Sequence, residues 1–252
     1  MSEPRDPSAT FVTVVTFLWE DEARRRSYHF TTEHVQVAKR MVDRHLSLPH
    51  EFVCVTDHRI EGIRTVPIDW RKHVPGTCFV KLMMHRPDIA GLLGRRILYL
   101  DLDCVIVGSM DGIVHRPYTD AVFWRNPNYG LPKRAFYQGS MQLFTAGARS
   151  QLWTDFDPAE TPKWINRRYG GAEQAWISER LDHDEATWSD ADGVFGAGRL
   201  VGGQMDKGIS ELPANARIVF FPGNRMYDQP EVQERHPWVR DHMVTPRHGA
   251  TM

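Results

Sequence analysis

Ile97-Leu98-Tyr99-Leu100-Asp101-Leu102-Asp103-Cys104-Val105-Ile106 is an apolar run broken by two acids spaced two apart. Its length and composition predict a buried strand. Successive side chains on a strand alternate faces, so Asp101 and Asp103 are expected to point the same way where the apolar pattern breaks. Open α/β sheets bind ligands at the carboxyl ends of their strands. Two carboxylates there repel each other and are costly to desolvate unless a cation neutralises them. A divalent metal carrying a phosphorylated ligand would supply that cation.

The acid pair alone is a weak signal. The chain has 19 Asp in 252 residues, and chance placement of that many yields about 1.4 Asp-x-Asp matches. Four occur, at Asp101/Asp103, Asp155/Asp157, Asp182/Asp184 and Asp190/Asp192. The last three lie in polar, Pro- or Gly-flanked stretches that read as solvated turns or helix ends. Only the first ends a buried-strand pattern, so context selects it.

Outward from this run, Phe11–Leu18 reads as a first buried strand and Phe52–Thr56 as a second, ending at Asp57. Between them, Val35, Ala38, Met41 and Val42 fall at helical spacing, predicting an amphipathic helix over Glu33–Leu46. Ile63–Ile68 reads as a third strand, and Phe79–Met84 as helical until Pro87. This order of strand, helix, strand, strand, helix, strand predicts an open α/β nucleotide-binding half. Further on, Ala121–Trp124, Met141–Thr145 and Ala216–Phe221 read as strands, and Ala148–Phe156 and Ala172–Leu181 as helices. The division expected is a flexible N-terminus over residues 1–10, one α/β domain over 11–223, and a tail over 224–252 that closes over or flanks the site.

At 41% hydrophobic the chain can bury a full single-domain core. The net charge of −1 demands neither nucleic acid nor membrane. The charge is unevenly spread: Arg116–Gly170 holds eight Lys/Arg against four acids, with eleven Trp, Tyr or Phe among them, Trp124, Tyr129, Phe136, Tyr137, Trp153, Trp164 and Tyr169 included. Such a mixture suits stacking and phosphate contacts, but an ordinary basic surface over core aromatics fits it better. Three cysteines without a Cys-x-x-Cys pair indicate neither a disulfide frame nor a zinc site, and a reducing cytoplasmic setting is expected. No apolar run approaches the length of a membrane span.

With these residues assembled, the chain resembles glycosyltransferases of the GT-A fold. The likeness is strongest to the glycogenin-like retaining family and its bacterial and phage relatives. It rests on FVTVVTFLW at the first strand, FVCVTD at the second, KLMMHRP before LYLDLD, then YQGSMQLF and GGAEQAWISE, in family order over most of Phe11–Gly223. The resemblance implies a metal-dependent hexosyltransferase that uses a nucleotide-sugar donor of UDP type, with retention of anomeric configuration.

Its residue-level implications are these. Asp101 and Asp103 would hold Mn2+ or Mg2+ against the donor diphosphate, with Asp101 also within reach of the ribose. Lys81 would lie near the nucleotide-sugar, though a surface lysine on a helix fits it too. Thr16, Trp19, Tyr28 and Asp57 would line the nucleoside pocket, and each also fits an ordinary strand-end residue. Glu173 and Gln174 stand where the family has Asp-Gln, the acid at the donor sugar and the amide by the anomeric carbon. Glu173 is one methylene longer, and helix-start chemistry is its alternative. Gln138 stands in the strand that usually carries Asn-Ser. The family's His ligand near the last strand has no counterpart in Val219–Gly223, so His236 or His242 is the candidate third ligand.

The acceptor is expected to be a glycan, lipid-linked sugar or protein hydroxyl, with a hydroxymethylated DNA base as the branch suggested by the basic segment. Two other functions compete. A haloacid-dehalogenase-type phosphohydrolase also uses an apolar run followed by Asp-x-Asp, normally on the first strand. A degenerate transferase that binds donor or glycan without turnover is the non-enzymatic alternative.

Overall fold

The computed structural model describes residues 11–19, 30–68, 77–130, 135–165, 172–197, 200–201, 204–205, 211–221 and 226–243. The chain begins with β1 (Val12–Phe17), α1 (Thr32–His45), β2 (His50–Val55) and β3 (Arg64–Val66). A 3-10 helix (Cys78–His85), α2 (Ala90–Leu93), β4 (Arg96–Leu100), β5 (Cys104–Ile106), α3 (Asp111–Val114) and β6 (Ala121–Arg125) follow. Then come β7 (Tyr137–Thr145), α4 (Gln151–Thr154), α5 (Thr161–Ile165), α6 (Ala172–Arg180), β8 (Ala186–Trp188) and β9 (Val194–Gly196). The last elements are β10 (Leu200–Val201), β11 (Gln204–Met205), β12 (Ile218–Phe220), α7 (Pro230–Arg235) and α8 (Trp238–Met243). The expected tail beyond Pro222 therefore contains two short helices.

The main sheet has seven strands in the order β3-β2-β1-β4-β7-β6-β8. β3, β2, β1 and β4 run parallel, as the doubly covered, continuously apolar strands require. β7 is antiparallel to both β4 and β6. β1 is buried along its whole length. Val12, Val14 and Leu18 face a core with α1, whereas Val15 and Phe17 face a second core with the 3-10 helix and α6. Helices thus cover both faces. The described part of the C-terminal region packs on the α1 side, where Tyr227 and Val239 join the first core and Arg44 donates to the His242 carbonyl.

The apolar strand ends where the acids break it, as expected: β4 stops at Leu100, and Cys104–Ile106 form a separate strand, β5, that pairs with β12 in a three-stranded sheet. One expectation is corrected. Ala148–Phe156 is not one helix but the single turn α4, because Asp157 accepts a hydrogen bond from the Ala159 amide and starts a new turn at Pro158.

His85, at the end of the 3-10 helix, is 1% exposed beneath Phe144, with its Nε2 3.0 Å from Gln142 Oε1. Its Nδ1 is buried with no hydrogen-bond partner among the described residues, so a second proton would have nothing there to bond. Burial pushes its pKa down from 6.5 to about 4, with Arg149 adding to the effect. The unfolded chain therefore binds more protons below pH 6.5. This stabilisation is complete above pH 6.5 and is lost as pH falls through about 4, by about 3 kcal/mol at most. Urea unfolding should show the wild type losing more stability between pH 7 and pH 4.5 than His85→Gln does, by an amount of that order.

Candidate active site

The chain leaves β1 toward β2 and β3, then returns to place β4 on the other side of β1. This reversal leaves a crevice at the carboxyl ends of β1 and β4, where open α/β sheets take their ligands. Asp101-Leu102-Asp103 forms a bend at that edge. The Asp101 amide donates to the Ser140 carbonyl on β7 at 2.9 Å, and the Asp103 carbonyl accepts from the Phe221 amide after β12 at 2.6 Å. The bend is thus pinned at one end to the large sheet and at the other to the small one. Leu102 is buried in the α1-side core between two partly exposed acids.

Strand parity sends Tyr99 to the same face of β4 as the 3-10 helix and α6, and Asp101 follows it. There Lys81 Nζ lies 3.2 Å from Asp101 Oδ1 and 3.3 Å from Oδ2, and it also pairs with Glu173 Oε1. The Tyr99 hydroxyl donates to Asp101 Oδ1, and the Lys81 ammonium sits 5.4 Å from the Tyr99 ring centroid. Lys81 is 4% exposed and Glu173 6% exposed, so Lys81 is not a surface lysine. Burial alone would lower the Lys81 pKa, but the Asp101 and Glu173 carboxylates outweigh it and hold the group charged. Burial, then Asp101, raises the Tyr99 pKa well above its ordinary value, with Glu173 and Asp103 adding to it. Three carboxylates thus act on one phenol beside a single ammonium.

In a 3-10 helix, residues three apart align, so Cys78 shares an edge with Lys81. Burial and the Glu173 carboxylate both raise the Cys78 thiol pKa. Glu173 occupies the first turn of α6, as helix-start chemistry predicts. Its carboxylate, however, reaches across to β7, over Gly139. Sequence reasoning missed Tyr99 and Gly139. The two-residue spacing from Asp101 carried the signal for Tyr99, whereas nothing local marks Gly139.

The structure brings Asp101, Lys81 and Glu173 into direct contact, with Asp103 two residues along the bend. Gln174 is half-buried on α6 next to Glu173, and Gln138 is half-buried on β7 opposite Trp124, at a register shift. Thr16, at the end of β1, is 2% exposed, and its hydroxyl has no hydrogen-bond partner among the described residues, an uncommon situation for a buried polar group. Trp19 packs against the second core. Asp57 accepts from the Ile68 amide at 3.2 Å, a contact that ties down the segment after β3. Tyr28 lies outside the described residues.

His236 is buried, with its ring 5.7 Å from Phe221 and 5.9 Å from Trp238. Among the described residues no group of three or more His, Cys, Asp or Glu stands ready to hold a metal, so His236 is not assembled with Asp101 and Asp103. His242 pairs instead with His45 against α1, ring centroids 6.2 Å apart. The two aspartates still suit a hard cation. They supply oxygen donors, and with Glu173 they outnumber the nearby Lys81 charge. Magnesium-type sites commonly use only one or two carboxylates and fill the remaining positions with phosphate oxygens and water.

In the basic segment, Arg116 pairs with Asp192, Arg149 with Glu185 and Lys163 with Glu160. Trp124, Tyr137 and Trp164 are buried. Arg125 is exposed and lies 5.5 Å from the Phe136 ring centroid, and Tyr118 and Tyr129 are exposed. Three of the four described basic residues of the segment are thus paired locally, over aromatics that are partly core and partly surface.

No protein-family model matches the sequence, and no curated protein sequence matches it significantly. Solved structures do match the fold. The galactosyltransferase LgtC, in complex with donor and acceptor sugar analogues, aligns over 93% of this chain and 98% of its own, at 9% identity and a TM-score of 0.52. An active-site mutant of LgtC aligns over the same shares at 10% identity, also with a TM-score of 0.52. The likeness is one of fold. It gives this chain the GT-A arrangement of a mixed α/β sheet flanked by helices.

Removing Lys81 strands two acids in a poorly solvated place. Lys81→Met should lower stability by about 3 kcal/mol, whereas Lys39→Met, which loses an exposed pair with Asp43 on α1, should cost under about 0.5 kcal/mol. Urea unfolding of the two variants at pH 7 checks the contrast.

Proposed function

We propose that this protein is a metal-dependent glycosyltransferase that moves a hexosyl group from a UDP-hexose-type donor to an acceptor hydroxyl, with retention. The observation that carries the reading is the meeting of the Asp101–Asp103 bend, Lys81 and the Glu173–Gln174 turn at the switch point of a GT-A sheet. LgtC, whose fold this chain shares, is a galactosyltransferase solved with donor and acceptor sugar analogues, which supports a hexosyl donor. Retention rests on the family resemblance.

In this reading Asp101 and Asp103 hold Mn2+ or Mg2+, which when bound supplies Lewis-acid neutralisation of charge on the departing diphosphate. Lys81 adds a fixed positive charge on the same side, in a poorly solvated place where such a charge acts strongly. Gln174 offers a neutral amide dipole near the anomeric carbon, able to steady positive charge there without forming a stable adduct. Thr16, with its unspent hydroxyl at the end of β1, is suited to a polar group of the nucleoside.

A glycan, lipid-linked sugar or protein hydroxyl is the acceptor class favoured. A hydroxymethylated DNA base stays the branch that the basic segment suggests, with Arg116, Arg149 and Lys163 already paired to acids. The phosphohydrolase alternative needs its acid pair on the first strand. β1 instead ends in Thr16-Phe17, and the acids follow the fourth strand of the chain.

The test is release of nucleoside diphosphate from a panel of nucleotide-sugars with and without Mn2+. Asp103→Asn should reduce metal-dependent release by about 100-fold or more while its unfolding midpoint stays close to wild type. Undiminished activity in that variant would overturn the role given to Asp103. Hydrolysis of simple phosphomonoesters without any sugar nucleotide would favour the phosphohydrolase. Donor binding without turnover across a broad acceptor panel would favour the binding protein.

A further inference from the structure

We infer that Gly139 and Glu173 are a sterically matched pair that positions Lys81 against Asp101. The catalytic meaning of this pairing rests on the transferase reading above, but its physical basis does not. Gly139 is not among the glycines with positive φ, so its backbone conformation does not call for glycine. Its surroundings do. A Cβ added there would overlap Glu173 Oε1 and lie 3.1 Å from Cδ and 3.5 Å from Cγ. The Glu173 carboxylate fills the volume where a side chain on β7 would stand.

Oε1, the atom a Cβ would displace, is also the atom paired with Lys81 Nζ. Oε1 is the end of a flexible side chain, so the carboxylate can yield, but it does so by leaving Lys81 Nζ. The α6 helix is docked by the Tyr137 amide donating to Ser178 Oγ at 2.9 Å and by Trp176 Nε1 donating to the Leu152 carbonyl at 2.9 Å. β7 is tied to the lysine-bearing helix as well. Gln142 donates from Nε2 to the Gly139 carbonyl at 3.3 Å, and its Oε1 meets His85 Nε2. Residue 139, the first turn of α6 and the 3-10 helix therefore form one closed unit around the lysine.

An Asp at position 173 would stop one methylene short of the volume above residue 139. The added methylene at 173 and the missing Cβ at 139 compensate each other. Gly139 is thus a positioning residue that acts through Glu173 on Lys81.

The experiment compares wild type, Gly139→Ala, Glu173→Asp and the double variant in two arms. In ligand-free thermal unfolding, Gly139→Ala should lower the midpoint in the wild-type background. In the Glu173→Asp background it should leave the midpoint unchanged or raise it, because alanine is ordinarily the better strand residue where space allows. In the kinetic arm, with a UDP-hexose donor and Mn2+, Gly139→Ala should lower kcat by about tenfold or more with little change in donor KM. In the Glu173→Asp background Gly139→Ala should lower kcat little further, because the contact it disturbs is already gone.

Strictly additive losses, a harmless Gly139→Ala in wild type, or a double variant as unstable as Gly139→Ala would overturn the pairing. If no nucleotide-sugar is turned over by wild type, the transferase reading fails by itself and the unfolding arm alone decides the pairing.

Discussion

A buried ammonium shared by two carboxylates organises the ligand-facing edge of this protein. Lys81 comes from a 3-10 helix, Asp101 from the end of β4 and Glu173 from the first turn of α6. A charge this poorly solvated is tolerated only when it is compensated at close range. The three elements are therefore held to one another by a constraint stricter than apolar contact. Tyr99 adds a hydroxyl from the strand below, and Gly139 leaves the space through which the glutamate arrives. None of the five can be changed in isolation without leaving a charge stranded or a volume overfilled.

The acid bend gains its setting from a structural joint. β4 belongs to the seven-stranded sheet and β5 to the three-stranded one, so the residues between them must hand their backbone groups from one sheet to the other. Ser140 takes the first and Phe221 the second. Leu102 anchors the bend in the core while its two neighbours stay partly exposed. The turn from one sheet to the other thus lifts both acids out of the core without unravelling either sheet.

A fold shared with LgtC at about a tenth identity is consistent with how the molecule divides. The sheet needs only apolar residues at the right period, a requirement many sequences meet. The edge needs particular side chains at particular distances, and here they include a glutamate fitted over a glycine. The two halves of the acid-bearing run, on either side of the bend, pair with different partners.

From the sequence alone, β1, α1, β2, β3 and β4 were legible in order, because burial on one or both faces imprints a period on neighbouring residues. Asp101 and Asp103 were legible because they interrupt that period. The role of Glu173 and the burial of Lys81 were not, since a charge carries no local mark of its distant partner. Glu173 read equally well as a helix-start acid, and Lys81 as a surface lysine. Gly139 was silent for a related reason: the volume it leaves free is filled from another part of the chain. Periodicity is a property of adjacent residues, and the sequence determines it. Charge compensation and shared volume are properties of residues brought together by folding, and only the tertiary structure decides them.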